Sequence, residues 1–181
     1  MAGKPDGAAA GGNARGQNAV DWQMSRSAST QVASGNTAVI GGGANNTASG
    51  MQSTIGGGQG NTVSTNYSTI SGGNGNTITT GLYSTIAGGN NNLVTGDHAV
   101  VSGGNSNKSS SFAASVGGGY LNSAQSNYSS IPGGYGLRFS SGGADFGYNA
   151  WANSYQDSAT ISAAQTAYFG NVDLWLGNTR N

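Results

Sequence analysis

Side chains able to do acid–base or nucleophilic chemistry are few in this chain and stand apart from one another. His98 is the single histidine, so it is the one side chain whose ordinary titration falls near neutral pH. Asp97 precedes it directly, and consecutive side chains along a strand point to opposite faces, which separates the two. The six aspartates, Asp6, Asp21, Asp97, Asp145, Asp157 and Asp173, occur singly, and glutamate is absent. The paired carboxylates of glycoside hydrolysis therefore have no source within one copy, although a trimer would offer Asp145 or Asp157 from neighbouring chains. Lys108-Ser109 follows Asn107, where a phosphate-binding loop requires Gly. Gly72-Gly73-Asn74-Gly75-Asn76-Thr77 imitates half of a calcium-binding nonapeptide, but Thr77 stands where the carboxylate ligand belongs. Thr54, Thr69 and Thr85 form a hydroxyl file of the kind found on ice-binding rods, and Val39, Val100, Ser115 and Ser130 break it. There is no cysteine to supply a disulfide, a thiolate ligand or a thiol nucleophile. The expectation is a protein that is not an enzyme, with no catalytic residue, no metal and no cofactor.

Composition points the same way. The 181 residues include 34 Gly, 25 Ser and 21 Asn, with six basic and six acidic side chains and a formal net charge of zero. Six scattered cations make no basic patch, which argues against nucleic acid and against polybasic membrane docking as partners. Hydrophobic residues reach 35%, below the ~45–50% of ordinary domains, so one large core is not expected. Residues 1–23 hold no apolar run long enough for a signal peptide or a membrane span. The expectation is no membrane insertion.

The elements that position these residues come from a repeat. Ile40, Ile55, Ile70, Ile86, Val101, Val116 and Ile131 are spaced 15, 15, 16, 15, 15 and 15 apart, and a Gly pair follows each at two and three positions on. Six residues after the first six anchors stand Asn46, Asn61, Asn76, Asn92, Asn107 and Asn122. Two positions further lie Ala48, Val63, Ile78, Val94, Ser109 and Ala124, with Ala33 one period earlier. Each period thus holds two inward positions separated by turn-forming clusters: two short strands and two corners. A hairpin meander has no need of identical residues at a constant offset. A coil of parallel strands does, because residue i then lies about 4.8 Å from residue i+15 and stacks on its own kind.

The fold class predicted is all-β, a parallel β-solenoid, or β-roll, of about seven 15-residue coils. Ile40, Ile55, Ile70, Ile86, Val101, Val116, Ile131, Val63, Ile78 and Val94 form its core. The six asparagines form an axial amide ladder like that of other in-register parallel arrays. Such a core is thin, and oligomerisation is the natural remedy. Small residues two before each anchor (Ala38, Ser53, Ser68, Ser84, Ala99, Ala114, Ser129) would let neighbouring chains approach, so a homotrimer is inferred, intertwined or side by side; the spacing alone leaves a dimer or hexamer open.

The motif carried by Ser49-Gly50, Ser53-Thr54-Ile55-Gly56-Gly57-Gly58 and Asn61-Thr62 resembles the head repeats of trimeric autotransporter adhesins. It is still more similar to related arrays in bacteriophage fibre proteins. The stretch from Ala14 through Asn18-Ala19-Val20-Asp21-Trp22-Gln23, with Arg26-Ser27 and the QVASG of residues 31–35, resembles the lead-in to such arrays in phage tail-fibre and head-fibre proteins. The resemblance covers about residues 13–155 and implies a left-handed β-roll that trimerises. A complete autotransporter adhesin would also have a coiled-coil stalk and an anchor barrel, so the expectation is a phage virion component.

On that basis the chain divides into three. Residues 1–30 are expected to be a flexible arm that docks to other virion proteins, with Arg15, Asp21 and Trp22 as the candidate anchor. Residues 31–138 are the solenoid. Residues 139–181 are an irregular, aromatic-rich cap or tip, since nine of the 15 aromatics lie from Tyr135 onward. Tyr148, Trp151, Tyr155, Tyr168 and Trp175 are its candidate contacts with a partner or with a host-surface glycan or protein. The function expected is attachment to the host surface from the virion. The alternatives are a purely structural capsid-decorating or tail-associated fibre and a fragment of a bacterial cell-surface adhesin.

Overall fold

The computed structural model describes residues 15–139 together with the strands Asn149–Ala152, Thr160–Ile161 and Ala167–Gly170. It is a parallel β-solenoid of about eight turns with about 15 residues per turn, and there is no helix among the described residues. One ladder of ten strands carries the anchors; a second of eight strands carries the positions eight residues on. The register is one-to-one, Ile40↔Ile55↔Ile70↔Ile86 on the first ladder and Ala48↔Val63↔Ile78↔Val94 on the second. The single 16-residue step takes its extra residue between Ile78 and Ile86, where Thr80 Oγ1 donates to the Thr95 carbonyl at 2.7 Å.

Most strands are two residues long, and from Val20–Asp21 to Ser130–Ile131 the burial alternates within each: the first residue is half-buried and the second points inward. The ten core residues named above have no accessible surface, and Ala48, Ser109, Ala124 and Phe139 complete the inner file of the second ladder. β-branched side chains suit these positions because a pleated strand leaves them a favoured rotamer and an identical neighbour to stack on.

The residues two before the anchors have a different role from the one expected. Ala38, Ser53, Ser68, Ser84, Ala99, Ala114 and Ser129 are buried inside their own chain. Their serine hydroxyls bond to turn carbonyls, Ser53 to Gly50 at 2.7 Å and Ser84 to Gly96 at 2.8 Å. Their smallness goes with burial in the interior of each coil and lends no support to a close approach of neighbouring chains.

The stack is longer than residues 31–138 at both ends. Val20–Asp21 pairs in parallel with Val39–Ile40, so residues expected in a free arm already form a coil. Beyond residue 139 the ladders continue with longer steps: Ser130 pairs with Asn149, Phe139 with Ile161, and Asn149–Ala152 with Ala167–Gly170. These three strands are the described part of the segment expected to form the cap.

Candidate functional site

The chemistry of this molecule sits at the corners of its coils. At the first corner, two and three residues past the anchor, the Gly pair and the following Asn work as one unit. Asn76 Nδ2 donates to Gly72 O in its own coil at 3.1 Å and to Gly89 O in the next at 2.9 Å, while its Oδ1 accepts the Asn92 N–H at 3.0 Å. The same three bonds recur at Asn61, Asn92, Asn107 and Asn122. The expected axial amide stack is thus replaced by amides clamped to backbone, which satisfies buried groups that no strand pairing reaches. An amide-to-amide bond along the axis occurs instead on the surface, from Asn90 to Asn74 at 3.3 Å. Gly73 has φ +94°, and a Cβ there would collide with the Gly89 carbonyl and lie 2.6 Å from Asn76 Nδ2. Glycine is required at that point by space as well as by conformation.

The series has a purpose-built start. Gln23 stands in for the missing first Asn: its Oε1 accepts the Asn46 N–H at 2.8 Å and its Nε2 donates to Gln31 O at 2.8 Å. Asp21 occupies the anchor position of the first coil, and its buried carboxylate accepts the Ala33 N–H at 3.1 Å and the Gln23 N–H at 3.2 Å. Arg15 lies over the Asp21 carbonyl, donating to it at 3.3 Å. Of the three candidate anchor residues, then, Asp21 is committed to closing the coil stack, and Trp22 is the one displayed, 62% exposed. Leu137 ends the series by donating its N–H to Asn122 Oδ1 at 3.0 Å while having no amide to pass on.

Another corner precedes each anchor. Thr37, Gln52, Tyr67, Tyr83, His98, Ala113 and Tyr128, each three before its anchor, have φ between +51° and +58°. The rings at this corner stack along the axis: Tyr67 on Tyr83 at 4.9 Å and 5°, and Tyr83 on His98 at 5.3 Å and 8°. Phe112 continues the file edge-on between His98 and Tyr128, at 5.4 and 5.5 Å. A shorter pair, Tyr120 and Tyr135, lies on the corner four past the anchors. One signal in the sequence was sufficient to find the file, since four of the seven positions three before an anchor hold Tyr or His.

The residue before each left-handed corner alternates from coil to coil. Asn36, Asn66, Asp97 and Asn127 each accept the backbone N–H of the preceding coil's Gln17, Met51, Leu82 and Phe112, at 2.8 to 3.3 Å. Asp97 is therefore bonded to backbone, and His98 is stacked between rings. Trp151 and Tyr168 lie on paired strands, Trp151 opposite Phe169 and Tyr168 opposite Ala150; Tyr148, Tyr155 and Trp175 lie outside the described residues. Among the described residues no three His, Cys, Asp or Glu side chains gather as metal ligands would. No protein-family model matches the chain, and no curated protein matches it in sequence.

Proposed function

We propose that this chain is a non-enzymatic fibre subunit of a phage virion, a homo-oligomeric rod that holds its exposed corner side chains at fixed axial intervals for attachment to a host surface. The observation that supports this best is the completeness of the axial bonding. From Gln23 to Leu137 each coil is fastened to the next through both ladders and the Asn–Gly corner, and no buried side-chain polar atom among the described residues lacks a partner. A chain that repeats its interior and varies its exposed positions is suited to displaying side chains at a distance. The similarity of its repeat to those of phage fibres directs the reading to a virion.

A second reading, a fibre that binds only its own virion, draws on one observation: the rings of the described file stack on each other, which occupies the faces a sugar ring would use. Binding of the labelled protein to a panel of bacterial strains, before and after periodate oxidation of their surface glycans, decides between the two. Saturable binding abolished by periodate supports attachment. Binding to no strain, with retention on purified virions, overturns it in favour of the structural role.

A further inference from the structure

We infer that the ridge formed by Met51, Tyr67, Leu82, Tyr83, Phe112 and Tyr128 is the seam along which one copy of this chain packs against a second copy. The inference rests on the reading of the chain as a self-associating fibre subunit and names the face that reading needs.

The fold itself does not ask for these residues. Left-handed backbone favours Gly or Asn and disfavours bulky side chains, and at the corner five past the anchors five of the seven residues are Gly or Asn, the series being Asn45, Gly60, Gly75, Asn91, Ser106, Leu121 and Gly136 at similar φ. At the corner three before the anchors it places Tyr67, Tyr83, His98 and Tyr128 instead. The residue just before alternates between a polar side chain turned to backbone and a large apolar one: Asn36, Met51, Asn66, Leu82, Asp97, Phe112, Asn127. The six ridge residues are 37% to 54% exposed. Soluble surfaces seldom hold so many large apolar side chains in one line without a partner.

The occupant follows from geometry. Met51, Leu82 and Phe112 recur every second coil, about 9.6 Å apart at the spacing of parallel strands, with the short Asn66 and Asp97 between them and Asn127 beyond. Another copy of the chain has that same interval of knobs and gaps and stays in step along the whole ridge. An α-helix repeats its apolar stripe at about 10.5 Å and falls out of step within a few coils. With ring faces already stacked, the ridge offers edges, hydroxyls and aliphatic flanks, which suits a protein surface better than a glycan. At roughly 200 Å² per large side chain the exposed parts amount to on the order of 500 Å². That is over half of the about 800 Å² per partner of a stable interface, the polar residues between the knobs supplying the rim.

Light scattering over a range of protein concentrations, with circular dichroism on the same samples, tests the seam in two variants. One is Tyr67→Asn/Tyr83→Asn/Tyr128→Asn, in which Asn suits the left-handed corners. The other is Met51→Asn/Leu82→Asn/Phe112→Asn, which copies the residue already present at positions 36, 66 and 127. The unaltered chain is expected to be a multimer, and each variant to keep its β spectrum while its mass falls toward that of one chain. Folded variants that keep the multimer's mass overturn the seam and leave self-association standing. A single-chain mass for the unaltered protein overturns both. Should the tyrosine variant fail to fold, the second variant alone decides.

Discussion

Asn76 makes three hydrogen bonds, all to backbone, and neither Gly72 O nor the Asn92 N–H has another partner among the bonds of the corner. Leaving a buried donor or acceptor unpaired costs about 1–3 kcal/mol each, so Asn76→Ala is expected to destabilise the protein by about 2–4 kcal/mol. Asn90→Ala, which removes an exposed amide contact, should cost less than about 0.5 kcal/mol. Urea titrations of the two variants read the difference as a shift in midpoint. Equal shifts would mean that the interior asparagines are a surface-like ladder after all. The sequence makes the asparagine file visible, because stacked coils repeat residue types at one spacing. It does not make the partners visible, since these are glycine carbonyls and amide N–H groups, which look alike everywhere along a chain.

At the scale of the element, the ends and the middle of the stack should fail differently. Asp21→Ala leaves the Ala33 N–H without its carboxylate and frees Gln23 from the aspartate that orients it. Only the first coils have that support. Hydrogen exchange at Val20, Ala33 and Asn46 is therefore expected to speed up by one to two orders of magnitude, while Asn92 and Asn107 keep their protection. Ile70→Asp puts a carboxylate at a site with no accessible surface and no polar partner. It is expected to cost more than about 4 kcal/mol and to abolish the cooperative melt seen by circular dichroism; a melting temperature within a few degrees of the unaltered protein would contradict the solenoid. The first coil was hidden by its step rather than by its residues. Gly16-Gln17-Asn18-Ala19-Val20-Asp21 matches Gly35-Asn36-Thr37-Ala38-Val39-Ile40 in form, but the offset is 19 instead of 15, and the anchor is an aspartate. The strands past residue 139 escaped for a related reason. Their steps of 19, 22 and 18 residues break the period, while pairing needs only that each longer coil return to the same edge.

For the whole molecule, the decisive property is that each coil touches only its neighbours, so stability is close to a sum of coil terms and coil–coil terms. Apart from those accepted by Asp21 and Asp97, the axial bonds are hydrogen bonds between neutral groups, and the core side chains that stack are of like type. A further coil therefore fits wherever the pattern is complete. Inserting a second copy of residues 56–70 directly after Ile70 reproduces both ladders, the Gly57-Gly58 pair and Asn61 in register. The lengthened chain is expected to fold, to extend the rod by about 4.8 Å, and to unfold at a higher urea concentration. Deleting the same 15 residues should lower the midpoint. In a domain with one enclosed core, an insertion of that size beside a buried strand would expel side chains from their sites. The sign of the midpoint shift thus separates a stack whose coils add from a core whose parts must close on one another, and a chain that aggregates on insertion but survives deletion would place it in the second class.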